Sequence, residues 1–160
     1  MVFSREPLRD AARLATSSES WQVTVGEGDD ALTLLAVQPT GPVPPTDAST
    51  WRSEHETLLA AAEASGAALV LGDMNATPDH TTMRAWRDAG YRDSLELVNA
   101  GWSPTWPSNG LTAVPGVHPP AIIQIDHVLV RSSLAVTGST TLHVPGSDHR
   151  AVVATVAPAD

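Results

Sequence analysis

The stretch Ala67-Ala68-Leu69-Val70-Leu71-Gly72-Asp73-Met74-Asn75-Ala76-Thr77-Pro78 decides the fold class of this chain. Its first five residues form a short continuous apolar run, which is typical of a strand covered on both faces. Gly72 ends the run, and Thr77 followed by Pro78 predicts the cap and first position of a helix. A buried strand that leads into a helix indicates an α/β fold with helices packed outside a sheet.

The flanking segments predict more strands and one long helix. Trp21–Val25 and Leu32–Val37 read as a hairpin across a turn rich in glycine and aspartate. Asp47 or Ser49 is expected to cap a helix that Gly66 ends. The predicted buried face of that helix has residues at helical spacing: Trp51, His55, Leu58, Leu59 and Ala62.

The two ends of the chain are less regular in pattern. Residues 9–14 predict at most a short helical turn, and residues 100–120 predict a long loop rich in proline, glycine, serine and tryptophan. Strands are predicted over residues 122–130, 134–144 and 151–156. With no internal repeat, residues 1–160 are interpreted as a single domain with a mixed sheet.

Composition excludes several classes of function. The 160 residues include no cysteine, so disulfide scaffolds, zinc–thiolate sites and cysteine nucleophiles are excluded. No apolar run approaches the roughly 18–20 residues of a membrane span, and the start does not read as a signal peptide. Because a domain without cysteine can occupy any redox compartment, the compartment stays open.

The net charge of -9 bears on the substrate. Nucleic-acid binding depends on Lys and Arg neutralising phosphates, and only 9 such residues are present. A nucleic-acid substrate stays open but is disfavoured relative to a small phosphoester. The alternative interpretation is that the acidity only aids solubility.

Asp73 and Asn75 stand two residues apart after the buried strand. If the backbone stays extended, both side chains point the same way. The aspartate can then accept a proton or hold water while the amide grips a phosphate oxygen. The alternative is ordinary turn chemistry, in which both side chains bond their own backbone.

A second polar group lies near the C-terminal end. Asp148 has the carboxylate oxygens that magnesium prefers, and His149 can act as a general base or acid. Asp126, expected in mid-strand, would orient an imidazole and raise its pKa. The alternatives are a solvated loop pair for Asp148 and His149 and a structural hydrogen bond for Asp126. His127 is expected on the opposite side of its strand, in a structural role, as is His55 in the core.

Residues 21–157 resemble the C-terminal half of the endonuclease/exonuclease/phosphatase superfamily, which has the deoxyribonuclease-I-like fold. The resemblance rests on four motifs: Gly-Asp-Met-Asn-Ala-Thr-Pro, Ser103-Pro104-Thr105-Trp106-Pro107, Ile-Asp-His-Val-Leu-Val and Ser-Asp-His-Arg. It implies a layered β-sandwich flanked by helices. It also implies hydrolysis of phosphodiester or phosphomonoester bonds with Mg²⁺ or Mn²⁺.

The resemblance assigns roles to residues of this chain. Asp73 would position or deprotonate the attacking water, and Asn75 would bind the phosphate. His149 would contact the phosphate and act as base or stabiliser, with Asp126 holding its ring. Asp148 would contribute to the metal site.

Two departures from the family pattern limit these implications. Gln38 stands where relatives have a phosphate-contacting histidine, so it can donate a hydrogen bond without a charge. The family's first half, with its principal glutamate metal ligand, is expected to be absent, which would expose a sheet through which the chain self-associates. The alternative function is therefore a catalytically incompetent fragment or binding module of the family.

Overall fold

The computed structural model of the protein describes residues 1–44, 47–108 and 120–159. Within these ranges the chain forms eight strands and three α-helices. The strands are β1 (Leu8–Arg13), β2 (Trp21–Val25), β3 (Leu32–Val37), β4 (Leu69–Asp73), β5 (Tyr91–Asp93), β6 (Asp126–Arg131), β7 (Leu134–His143) and β8 (Arg150–Pro158). The helices are α1 (Ala48–Ser65), α2 (Thr81–Asp88) and α3 (Ser94–Leu97).

A six-stranded sheet has the order β1-β2-β3-β4-β6-β5. Strands β3 and β4 are parallel, joined by the crossover helix α1, and every other neighbouring pair is antiparallel. The antiparallel pair β7–β8 forms a second sheet. This mixed α/β architecture confirms the predicted fold class.

Two apolar layers cover the six-stranded sheet, because successive strand residues point to opposite faces. One face packs against α1 and α2, where Leu35 and Val70 contact Leu58 and Trp86 in one buried cluster. The other face forms a smaller cluster around Val23, Leu34, Leu69 and Val130. Three residues of the second sheet pack against this smaller cluster: Leu134, Val136 and Val156. The site described below lies where strands of both sheets meet.

Helix α1 begins and ends as its sequence predicts. The Asp47 carboxylate accepts hydrogen bonds from the backbone N–H groups of Ser49 and Thr50, both at 2.8 Å. Asp47 is therefore the cap residue rather than Ser49. Gly66 ends the helix at φ 64°, a left-handed conformation that glycine adopts without strain.

Three predicted boundaries were wrong. Residues 9–14 do not form a helical turn, since 8–13 are strand β1, which pairs with β2. The helix predicted from Thr77 begins only at Thr81, because Thr77 and His80 close a turn through a 2.8 Å bond from the Thr77 N–H to the His80 ring. The strand predicted from residue 122 begins at Asp126.

Two further elements, β5 and α3, were not predicted; they lie between α2 and the loop around Trp102. Residues 109–119 of the predicted loop 100–120 lie outside the described residues. Among the described helices, none is both long and apolar enough to cross a membrane.

Candidate functional site

A glycine allows the two parallel strands to meet closely at the edge of the site. Gly72 pairs with Val37 and has φ 146°, and a Cβ atom there would lie 1.9 Å from the carbonyl oxygen of Val37. No other residue fits this approach. The contact brings the loop after β3 beside the turn after β4.

The turn after β4 is not extended. Asn75 has φ 47°, and its backbone N–H donates to Asp73 Oδ1 at 2.8 Å while its Nδ2 lies 3.3 Å from Asp73 Oδ2. The condition of an extended backbone is therefore not met, and the alternative interpretation of turn chemistry applies, because Asp73 forms an Asx-type turn. Asn75 Nδ2 also donates to the Pro39 carbonyl at 2.9 Å, which ties the turn to the loop after β3.

A carboxylate–imidazole pair lies opposite this turn. Asp126 is the first residue of β6, not a mid-strand residue, and its register partner in β4 is Asp73. His149 Nδ1 lies 2.8 Å from Asp126 Oδ2, and the two side chains are 26% and 18% exposed. The structure thus brings Asp73, Asn75, Asp126 and His149 together at the end of the sheet.

The protonation behaviour of the group reflects partial burial. Burial raises the pKa of Asp73 to about 6, against the lowering effect of the Asn75 backbone hydrogen bond and with a further increase from the Asp126 charge. Burial lowers the pKa of His149, but the Asp126 hydrogen bond and the charges of Asp126, Asp73 and Asp148 outweigh it, and the pKa is raised overall. A carboxylate that is more basic than an ordinary aspartate therefore lies near a stabilised imidazolium.

Asp148 and Gln38 lie at the margin of this group. The charge of Asp148 acts on His149, and its backbone carbonyl accepts a 2.6 Å hydrogen bond from the Ser108 N–H. Gln38 is exposed and follows Val37, the partner of Gly72, so its position in the sheet is next to Asp73. Its backbone N–H donates to the Ser20 hydroxyl at 3.0 Å.

The acidic residues do not assemble a metal site by themselves. Within residues 1–44, 47–108 and 120–159, no group of three or more histidine, aspartate or glutamate side chains is arranged to hold a metal ion. The Asp73 carboxylate accepts a hydrogen bond from Asn75, and the Asp126 carboxylate accepts one from His149. The residues that the structure describes therefore do not fit a divalent cation without further ligands.

A second carboxylate–imidazole pair lies behind the site and includes a residue that the sequence analysis missed. His127 Nδ1 lies 2.5 Å from Asp93 Oδ2, and its Nε2 lies 2.8 Å from the Ala76 carbonyl. Asp93 ends the unpredicted strand β5 and also caps α3 by accepting from the Leu95 N–H at 2.7 Å. An aspartate directly before a helical Ser-Leu-Glu-Leu is a cap signal that the sequence contains.

The chain was compared with protein families and with curated proteins. A model of the Endonuclease/Exonuclease/phosphatase family matches residues 1–149. No match was found among curated proteins.

Solved structures similar to this chain share its fold. An AP endonuclease from Archaeoglobus fulgidus is 15% identical with a TM-score of 0.69, and the match covers 95% of this chain and 72% of that one. An endonuclease/exonuclease/phosphatase family protein from Leptotrichia buccalis C-1013-b is 11% identical with a TM-score of 0.67, covering 96% and 63%. Mannosyl-6-phosphatase Bt3783 from Bacteroides thetaiotaomicron VPI-5482 is 15% identical with a TM-score of 0.54, covering 86% and 55%. The chain thus spans between about half and three quarters of the length of these structures.

Proposed function

The chain belongs to the endonuclease/exonuclease/phosphatase family, whose members hydrolyse phosphoester bonds, and on that premise we propose that it hydrolyses a phosphodiester or phosphomonoester by in-line attack of water. The observation that carries the proposal is the convergence of Asp73, Asn75 and the Asp126–His149 pair at one end of the sheet. This set includes a proton acceptor, an amide and a positive charge for the phosphate.

The pKa shifts support a division of roles between Asp73 and His149. A carboxyl with a pKa of about 6 is ionised at neutral pH and accepts a proton more readily than an ordinary aspartate, so Asp73 takes the proton of the attacking water. The raised pKa of His149 favours the imidazolium, which stabilises negative charge on the phosphate.

His149 has one ring nitrogen available for the substrate. Its Nδ1 donates to Asp126, and within the described ranges its Nε2 has no hydrogen-bond partner. Asp126 therefore fixes the ring and directs Nε2–H outward, in the way that a triad acid orients its histidine. Asn75 keeps its 2.9 Å bond to the Pro39 carbonyl and exchanges the longer 3.3 Å contact with Asp73 Oδ2 for a second phosphate oxygen. Gln38, beside Asp73 at the exposed end of β3, adds an uncharged donor.

Enzymes of this family commonly use divalent metals, and we propose that hydrolysis by this protein requires Mg²⁺ or Mn²⁺. Asp148 is the ligand proposed from the family resemblance. The described residues form no cluster of three ligating side chains, so Asp148 would need further ligands to hold the ion. The ion takes no part in the roles proposed for the four converging residues, Asp73, Asn75, Asp126 and His149.

The charge of the chain bears on the class of phosphoester. A net charge of -9 repels a long polyanion, so the proposed substrate is a small phosphoester rather than duplex DNA. Competition between a small phosphodiester and duplex DNA, measured from 50 to 200 mM salt, tests this point. Strong inhibition by DNA at low salt would contradict it.

The proposed activity is tested with the full chain on bis-p-nitrophenyl phosphate and p-nitrophenyl phosphate, with EDTA and with added Mg²⁺ or Mn²⁺. We expect metal-dependent release of nitrophenolate that is lost in His149→Ala. His143→Ala is the matched control, since His143 is an exposed histidine at the end of β7. Turnover that is equal in both variants would reject the site.

A second candidate function is a non-catalytic module that self-associates. It is favoured by the absence of a described metal cluster and by exposed apolar residues near the start, such as Phe3, which is 84% exposed. Sedimentation velocity of wild type and Phe3→Glu distinguishes the candidates. An inactive wild type that associates, with association lost in Phe3→Glu, would favour the module.

A further inference from the structure

Two buried histidines hold the backbone carbonyls of Met74 and Ala76, the two residues that flank Asn75. His55 Nε2 lies 2.9 Å from the Met74 carbonyl, and His127 Nε2 lies 2.8 Å from the Ala76 carbonyl. Both histidines are only 2% exposed. Since a carbonyl oxygen can only accept, each ring donates through Nε2–H.

The other nitrogen of each ring is held by a different group. The Trp86 indole N–H donates to His55 Nδ1 at 3.3 Å, so His55 is neutral with its proton on Nε2. Burial lowers the pKa of His55 to about 4, in agreement with a neutral ring. His127 Nδ1 faces Asp93 Oδ2 at 2.5 Å, and Gln124 Nε2 reaches the same carboxylate oxygen at 3.1 Å.

The position that these rings support is a strained one. Asn75 has φ 47°, a left-handed conformation that asparagine tolerates better than most residues but that still costs free energy. The Met74 carbonyl belongs to the peptide plane directly before Asn75, and the Ala76 carbonyl to the plane between Ala76 and Thr77, so holding both restricts the backbone before and after Asn75. His55 lies on α1 and His127 on β6, and both side chains are buried on the face of the sheet away from the candidate site.

We propose that His55 and His127 are positioning residues that hold Asn75 in its phosphate-binding orientation through the Met74 and Ala76 carbonyls. This inference rests on the proposed function for the role of Asn75. Both histidines would then do more than fill the core, because each ring donates through Nε2 to a carbonyl and is held at Nδ1 by a second side chain.

Paired amide substitutions test the proposal. In His55→Gln and His127→Gln the side-chain amide reaches the place of Nε2, whereas in His55→Asn and His127→Asn it ends near the place of Nδ1. Tyr91→Phe is the matched control: it removes an equally buried donor, the 2.7 Å bond to the Ala67 carbonyl, away from the turn. The main readout is amide hydrogen exchange of the Asn75 N–H, which donates to Asp73 Oδ1.

We expect the Asn variants to raise Asn75 exchange at least about tenfold, with the Gln variants and Tyr91→Phe within about threefold of wild type. Equal exchange in the Asn and Gln variants, or an equal rise in Tyr91→Phe, would overturn the proposal. If the Asn variants fail to fold, the Gln variants decide: wild-type exchange supports the proposal, and raised exchange rejects it.

Hydrolysis of bis-p-nitrophenyl phosphate gives a second readout. We expect kcat/KM to fall about tenfold or more in the Asn variants and to recover in the Gln variants, because small displacements of a substrate-binding group are costly. A wild-type protein without activity would reject the proposed function, while the exchange comparison would still decide the positioning role. An active wild type with Asn75 exchange insensitive to these substitutions would reject only the positioning role.

Discussion

Consecutive residues of β6 form two carboxylate–imidazole pairs on opposite faces of one sheet. Asp126 pairs with His149 at 2.8 Å, and His127 pairs with Asp93 at 2.5 Å. In the first pair the imidazole is 26% exposed, and in the second it is fully buried. The same chemistry therefore occurs in two environments separated by one residue.

The difference shows that the use of the second ring nitrogen, rather than the pair itself, distinguishes a candidate catalytic group from a structural one. His127 Nε2 donates to the Ala76 carbonyl, so both of its nitrogens are engaged by the protein. His149 Nε2 has no such partner within the described ranges, and the ring lies beside Asp73. An open nitrogen at a partly exposed position can serve a substrate.

Loss of the exposed imidazole is expected to have the largest effect. His149→Ala should lower kcat/KM for bis-p-nitrophenyl phosphate about 10³-fold, since a positioned acid or base contributes roughly 10²–10⁴. Its melting temperature should stay close to that of wild type, because the ring is partly exposed. Kinetics and thermal unfolding measure the two quantities, and retained activity would remove His149 from the mechanism.

Loss of the buried imidazole should act on stability instead. His127→Leu removes the imidazole partner of Asp93 Oδ2 and the donor to the Ala76 carbonyl, and breaking such a buried pair costs about 3 kcal/mol of unfolding free energy. Urea denaturation measures this cost. His143→Leu, at an exposed strand end, should change it by less than about 0.5 kcal/mol. Similar values for the two variants would show that the buried pair contributes little.

The carboxylates can be compared in the same way. Asp126→Asn removes the negative charge that most directly favours the His149 imidazolium, so the pKa of His149 should fall and kcat/KM should drop about tenfold. NMR titration of the His149 ring protons measures the pKa. Asp93→Asn, at the end of β5 in the buried pair, should leave that titration unchanged. An equal shift in both variants would contradict the separation of the two pairs.

The pH dependence gives the smallest effect. The pKa of Asp73 is raised to about 6, so below that pH the carboxyl is protonated and cannot accept a proton from water. Activity should therefore rise with pH through an inflection near 6, over about one pH unit. A pH profile of kcat/KM measures this rise. The residual activity of Asp73→Asn should lack the rise near pH 6. An unchanged rise in that variant would show that another group causes the pH dependence.

Much of the fold was predictable from local sequence. The apolar run before Gly72 predicts a buried strand, and Asp47 and Gly66 mark the ends of α1 through capping. The strand period also placed Asp126 and His127 on opposite faces correctly. Residues 9–14 were misread because they have no period of their own: residues 9–13 are exposed, and pairing with β2 makes these a strand.

The site was less predictable, because its geometry depends on distant contacts. The sequence left an extended backbone and a turn open for Asn75, and the Pro39 carbonyl, 36 residues away in sequence, helps to hold it in a left-handed turn. Asp93 was missed because its partner His127 lies 34 residues further along the chain. Neither contact leaves a local pattern.

The sequence by itself determined the family, the order of most elements and the acids, amides and imidazoles available for chemistry, since apolar periodicity and short motifs are local properties. The family resemblance also predicted that Asp126 holds the His149 ring, whereas only the tertiary structure decided that His127 is paired with Asp93 and that one imidazole is buried and the other partly exposed. The physical reason is that β6 presents alternate residues to different layers, and each layer brings its own distant partner. Exposure to solvent, also set by packing, then leaves only one of the two imidazoles open to a substrate.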